Sequence, residues 1–229
     1  MPCALETHAT TIRTRRGQSL PLGLDGGETV FIVRAGVVTL EAALPTGARQ
    51  IASIFYPGDL LRSSFAPPHI GAAFVAAGPG EVWRLRATAL GALAATEPAV
   101  LRYADAATGD RVARQALHAI ALGQFDSEQK VATLLLELAA RLGTRSAGGV
   151  QFDLPFDRTQ IADYLGLNPD TLSRIMSRFR AAGLISRAEH GRAVVRDLSA
   201  LAARSPVAGA IMAMAAPARS CEARLDVTV

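Results

Sequence analysis

Asp170, Ser173, Arg174, Ser177 and Arg178 fall close together in one segment, PDTLSRIMSRFRA. At about 100° per residue they take one side of a helix or its flank, and Leu172, Ile175, Met176 and Phe179 take the other. A carboxylate, hydroxyls and guanidinium groups offered from the N-terminal end of a helix are what reading a DNA major groove requires. Arginine matches guanine O6 and N7, a carboxylate accepts from cytosine N4, and serine suits either partner. An ordinary solvated face would carry the same residue types, so this face alone leaves both readings open.

The neighbouring residues are those that would position such a helix. Asp157 and Gln160 have the spacing of a capping box at the start of RTQIADYLG, in which each residue satisfies a backbone N–H of the other. Gly166 ends that short helix, Asn168 can cap the next, and Pro169 sits at its first position, where a missing N–H costs nothing. A short helix, a glycine-containing turn and a longer helix form a helix-turn-helix pattern. GLISR and RAVVRDL then flank EHG, the pattern of a β-hairpin wing. Arg187 and Arg192 lie on or near it, where they would be either phosphate contacts or solvated arginines.

Upstream, residues 98–142 read as helical. Pro98 can open a helix. Leu101, Ala104, Thr108, Val112, Gln115, Ala119 and Leu122 recur at the three- and four-residue spacing of a helix lying along a partner, although a plain surface helix could share it. The pattern breaks near Gly123–Gln124, and a second helix follows Asp126, with Gln129 three residues on. RSAGGV, at 145–150, reads as a flexible link. Residues 1–95 are punctuated by glycine and proline. Val30, Ile32, Val38 and Leu40 fit an alternating strand face, FVAAGPGEVWRLR reads as a further hairpin, and Trp83 reads as core. Short strands with turns at this spacing suggest a β-sandwich or barrel.

Composition sets the outer bounds. The chain has 229 residues, half of them apolar and 19% charged, which suits one large or two small folded domains rather than a disordered or collagen-like chain. No apolar run reaches the ~18 residues of a membrane span. The start, MPCALETHAT, lacks a basic segment followed by an apolar one, so a cytoplasmic protein without membrane contact is expected. Two cysteines, Cys3 and Cys221, exclude a disulfide framework and a four-thiolate metal site within one chain. The net charge of +4 is mild, and every basic residue except Lys130 is arginine. A GC-rich genome would give that bias, and arginine also suits phosphate and guanine.

The stretch DRTQIADYLGLNPDTLSRIMSRFRAAGLI resembles the winged helix-turn-helix of the Crp/Fnr family of bacterial transcription regulators, and IADYLGL followed by TLSR carries the likeness. ETVFIVRAGVVTL, TGARQ and YPGDLL resemble that family's β-roll sensor domain, and the helix between matches its dimerisation helix by position. The likeness spans about residues 15–196. It implies an α+β protein. An N-terminal β-roll of the cyclic-nucleotide-binding jelly-roll kind would occupy 1–97, and a long dimerisation helix 98–124. A winged helix-turn-helix would occupy 125–200, with a tail of unassigned role over 201–229.

The resemblance also implies roles. In the Fnr-type branch the recognition helix opens Glu-x-x-Ser-Arg and reads half-sites like TTGAT; here the residues are Asp170-x-x-Ser173-Arg174. Arg174 would contact guanine and Ser173 the thymine region. Asp170, one methylene shorter than glutamate, would alter half-site preference. Pro169 stands where the Crp-type branch places a further arginine, which favours an Fnr- or FixK-like member. Thr159, Thr171, Arg178 and Arg192 are the candidates for backbone contacts. The protein would be a homodimeric, non-enzymatic regulator that binds an inverted repeat and activates transcription through RNA polymerase.

No cofactor or metal is expected. Fnr-type iron–sulfur sensing needs four cysteines. Cyclic-nucleotide binders carry a glutamate after the Gly-Asp turn and then an Arg-Ser pair, but Arg62-Ser63 follows Gly58-Asp59 too early, so cAMP binding is not expected. His8, His69, His118 and His190 form no recognisable haem-ligand pair. Three alternatives remain: a regulator needing an unidentified small effector, a degenerate interaction module without DNA binding, and a cupin-like enzyme. The last would need clustered histidines, and no HxH pair exists.

Overall fold

Short apolar runs broken by turn residues build the N-terminal strands. The computed structural model describes residues 1–22, 27–187 and 192–215. The chain divides into two units, Met1–Gln124 with Pro155–Ser173, and Phe125–Leu154 with the chain from Arg174 on.

In the first unit the strands are β1 (Thr10–Thr14), β2 (Thr29–Ala35), β3 (Val38–Ala43), β4 (Arg49–Phe55), β5 (Leu60–Arg62), β6 (Ala73–Ala76) and β7 (Gly80–Arg86). They form two antiparallel sheets, ordered β1-β7-β2-β5 and β4-β3-β6. Phe31, Val33, Val38, Leu40, Phe55, Leu61, Phe74 and Val82 fill the roll's interior. The outer face of the first sheet is also covered. Val30, Ile32, Leu60, Trp83 and Leu85 pack there with Leu5, with Leu90 of α1 (Ala87–Thr96) and with Val100 of α2 (Pro98–Gln124). Two expectations change as a result. Val30 and Ile32 face the helices whereas Val38 and Leu40 face the interior, because β2 is buried on both sides. FVAAGPGEVWRLR is not a hairpin, since β6 and β7 belong to different sheets. The Pro79-containing link carries the chain between layers instead of folding it back. Trp83 is core, 4% exposed.

Polar groups tie α2 to the roll. Arg114 is buried and reaches Asp59 Oδ2 with Nη2 at 2.5 Å, Ile54 O with Nη1 at 2.9 Å and Asp110 with Nε at 3.1 Å. Tyr103 donates its hydroxyl to the Gly58 carbonyl at 2.9 Å. Burial first, and the negative charge of Asp59 second, push the Tyr103 phenol well above its ordinary pKa. Arg111 lies with its guanidinium over the Phe65 ring, and desolvation followed by the nearby Arg114 charge lowers its pKa.

In the second unit, Asp126 caps α3 (Ser127–Leu142) and completes a capping box with Gln129, as its sequence spacing predicts. The apolar side of α3 is buried through Val131, Leu134, Leu135 and Leu138. Strands β8 (Thr144–Ser146), β9 (Gly149–Asp153), β10 (Ile185–Arg187) and β11 (Arg192–Val195) form one sheet ordered β10-β11-β9-β8. RSAGGV is therefore the turn of a β8–β9 hairpin and not a free link. Gly149 has φ +121°, and a Cβ there would lie 2.2 Å from the Val195 carbonyl, so only glycine lets the strands close. β10 and β11 pair as a wing, and its EHG turn lies outside the described residues. Beyond β11, α6 (Leu198–Ala202) and α7 (Ala208–Ala215) pack on α3, with Leu201 and Ile211 buried. Thr133 and Ser205 share a hydroxyl–hydroxyl hydrogen bond of 2.8 Å. The apolar GAIMAMAA patch of the tail is thus largely helix α7 against α3. Cys221 and His190 lie outside the described residues.

Candidate nucleic-acid interface

The helix-turn-helix is built as its caps dictate. α4 (Arg158–Leu165) starts at Asp157, whose Oδ1 accepts from the Gln160 amide at 2.8 Å while Gln160 Oε1 accepts from the Asp157 amide at 3.1 Å. It ends at Gly166 in the left-handed region, φ 61°, with the Leu167 amide bonded back to Ala162 O. α5 (Pro169–Ala181) begins with Pro169, and Asn168 Oδ1 accepts from the Asp170 amide at 2.8 Å. Asp170 sits in the first turn, where a carboxylate complements the helix dipole.

Along α5 the two sides separate as the wheel requires. Leu172, Ile175 and Phe179 are 0–2% exposed. Asp170, Arg174, Ser177, Arg178 and Arg180 are exposed, and Ser173 and Thr171 are half-buried. Ser173 donates its hydroxyl to Pro169 O at 2.7 Å. Its free lone pairs can then accept from a base amino group, but its proton is already used. Thr159 is exposed on the first turn of α4.

The proposed backbone-contact arginines carry partners that the sequence does not reveal. Arg178 lies 3.1 Å from Glu128, in the first turn of α3. Glu128 also pairs with Arg204, whose guanidinium lies near the Phe179 ring. Arg192 pairs with Asp153 at 3.1 Å across β11 and β9, which are in register there. These carboxylates neutralise part of the basic surface and fix where its guanidinium groups stand. Cross-strand register could have pointed to Asp153, but nothing in local spacing points to Glu128.

On α2, Leu101 is 48%, Val112 54% and Ile120 48% exposed, and Leu122 and Ala119 are exposed with them. Gln115 is exposed and accepts from Arg111 at 2.8 Å, whereas Thr108 is half-buried and bonds back to Ala104 O. On the roll, Arg62 reaches Glu28 Oε2 at 3.0 Å, and Ser63 Oγ accepts from the Thr29 amide. Among the described residues no group of three potential metal ligands occurs, and no helix is long and apolar enough to cross a membrane. His118 stacks on Tyr164 with centroids 3.9 Å apart.

Comparison with known proteins agrees with this architecture. Residues 129–204 match the Crp-like helix-turn-helix domain. The nitrogen fixation regulation protein FixK of Azorhizobium caulinodans is 31% identical over 175 residues, covering 76% of this chain and 70% of that protein. The transcriptional activator protein FnrA of Stutzerimonas stutzeri is 27% identical over 75% of this chain and 70% of its own length. The structure of FixK2 from Bradyrhizobium japonicum superposes with a TM-score of 0.71 at 28% identity, covering 86% of this chain and 97% of that one. With its roll, long helix and capped helix-turn-helix, and with two cysteines in place of a cluster-binding set, this chain belongs to the Crp/Fnr family of helix-turn-helix transcription regulators, in the FixK/Fnr-like branch.

Proposed function

We propose that the protein is a homodimeric, cytoplasmic regulator that binds a TTGAT-like inverted repeat and activates transcription through RNA polymerase, with no catalytic role. The observation that carries this reading is the division of α5. Its apolar side is closed off by Leu172, Ile175 and Phe179, while Asp170 and Arg174 stand exposed on the other. Arg174 supplies the guanine contact, Ser173 accepts from a base amino group, and Asp170 reads the neighbouring position. Thr159, Thr171, Arg178 and Arg192 hold the backbone. The α2 face of Leu101, Thr108, Val112, Gln115, Ala119 and Leu122 pairs with its mate, which sets two recognition helices about one helical turn apart. The relatives named above, a nitrogen fixation regulator and a transcriptional activator, support activation.

Binding without an effector is part of the proposal. The Asp59 carboxylate, on the turn that precedes β5, is already engaged by Arg114 and by the Tyr56 amide. The test is selection from a randomised DNA pool by the purified protein, at stated salt and without added ligand. Enrichment of a TTGAT-like inverted repeat supports the reading. Enrichment only after addition of cell extract favours an effector-dependent regulator, and no enrichment under either condition favours a module without DNA binding.

A further inference from the structure

The β3–β4 hairpin of the roll grips the first helix of the DNA-binding motif. Arg49, the first residue of β4, reaches Asp163 on α4 with Nε at 2.8 Å and Nη2 at 2.7 Å, both to Oδ2. Glu41 on β3 lies 3.7 Å from Nη1 of the same guanidinium. The next residue, Gln50, donates to the Tyr164 carbonyl at 3.4 Å, and the Tyr164 ring is stacked by His118 of α2. Arg16, after β1, donates to Pro155 O at 3.0 Å just before α4. These contacts place residues 155–173 in the same unit as the roll. That segment includes α4, the turn at Gly166 and the first turn of α5, with Asp170 and Ser173. The DNA-directed residues Thr159 and Asp170 remain exposed on it, so the grip leaves that face open.

We propose that Arg49 is a positioning residue for DNA recognition: through Asp163 it fixes α4, and with it the reading turn of α5, to the roll. In a dimer joined through α2, a motif fixed to the roll has a defined separation from its mate. The ion pair therefore sets the half-site spacing the protein accepts, not the base it reads. This rests on the DNA-binding reading above.

The experiment compares wild type, Arg49→Ala, Asp163→Asn and the exchange Arg49→Asp/Asp163→Arg. DNA binding is measured on repeats whose half-site spacing is changed by one base pair either way, and on a single half-site. Hydrogen exchange of the 158–165 amides is followed in parallel. The single variants should bind the best-spaced repeat about two- to fivefold more weakly, the range for a partly exposed ion pair. They should discriminate less between spacings, bind the single half-site unchanged and exchange faster in α4. The charge exchange should restore part of the spacing preference, because the new carboxylate at position 49 lies beside Glu41. Unchanged exchange in α4 overturns the grip itself. Faster exchange with an intact spacing preference overturns its role in positioning. A wild type that selects no DNA overturns the proposal together with the reading beneath it, while the exchange data still report whether Arg49 holds α4.

Discussion

Arg178 and Glu128 form an ion pair, Nη2 to Oε2 at 3.1 Å, that joins the exposed side of α5 to the first turn of α3. The arginine side chain is 64% exposed and the glutamate 29%, so solvent screens the pair and its worth to folding is small. Its effect is on charge at the surface proposed to face DNA. Arg178→Ala should weaken binding to all sequences by a similar factor and reduce the salt slope by about 1. Glu128→Gln frees both Arg178 and Arg204 from their shared carboxylate, so affinity for random DNA should rise by about two- to fivefold at low salt. The preference for a specific site should then fall. Titrations at several salt concentrations check both, and an unchanged slope in Arg178→Ala removes Arg178 from the backbone contacts.

Arg174 and Arg178 are both exposed, and the proposal gives Arg174 the guanine contact and Arg178 a backbone contact. Arg174→Ala should cost roughly 1–3 kcal/mol at the selected site, leave random-sequence binding nearly unchanged and leave the dimer intact. Asp170→Glu adds one methylene of reach, so pool selection should return a motif shifted toward TTGAT. Identical motifs from wild type and Asp170→Glu would take Asp170 off the list of base contacts.

How much of this was legible in the sequence follows from the range of the interactions. The caps at Asp126, Asn168 and Asp157 and the glycine turn at 166 are local, and their residue types suffice to place them. The α5 side division follows from helical period alone. Arg49–Asp163 and Arg114–Asp59 join residues far apart in the chain, and no periodicity encodes which arginine meets which carboxylate. The β6–β7 reading failed for a related reason. A glycine-proline turn marks where the chain reverses, but not whether the next strand joins the same sheet. RSAGGV reads as a linker in sequence because glycine-rich turns of hairpins and linkers share a composition.

Val112 tests the oligomer. It is 54% exposed on α2, on a face that also exposes Leu101 and Leu122. Val112→Asp sets two carboxylates against each other in a helix pair and buries them, a cost large enough to break a dimer. Sedimentation should report a monomer, and binding to an inverted repeat should fall to the level of a single half-site. A variant that remains dimeric shifts the interface off this stripe.

Tyr103 predicts an alkaline limit to stability. Its phenol is held neutral above the ordinary range, by burial first and by Asp59 second, with Arg34 opposing. An unfolded tyrosine ionises near pH ~10. Above that pH the unfolded chain sheds a proton that the native protein keeps, so the native state loses ground. The stabilisation from Tyr103 should be intact below about pH 10 and shrink as pH rises further. Tyr103→Phe loses the bond to Gly58 O, about 0.5–1.5 kcal/mol. Urea titrations should show a constant difference between wild type and Tyr103→Phe up to that pH and a narrowing one above it. A difference that stays flat through pH ~11 would show that the phenol ionises alike in both states.

Arg114 is the most demanding contact between α2 and the roll. Its side chain is 8% exposed and that of Asp59 6%, and its three nitrogens reach Asp110, Ile54 O and Asp59. Arg114→Ala removes the ion-pair partner of the buried Asp59, which should cost about 3–5 kcal/mol. Replacing the charge on both sides should cost less than the two single changes added together. Arg114→Met keeps much of the volume, and Asp59→Asn keeps an acceptor for the Tyr56 amide, bonded at 2.8 Å. The double variant Arg114→Met/Asp59→Asn should therefore be more stable than Arg114→Met alone, and a double-mutant cycle in urea should return a coupling of about 1–3 kcal/mol. Additive losses would mean that Arg114 acts through Ile54 O and Asp110, and that Asp59 is held by the turn itself.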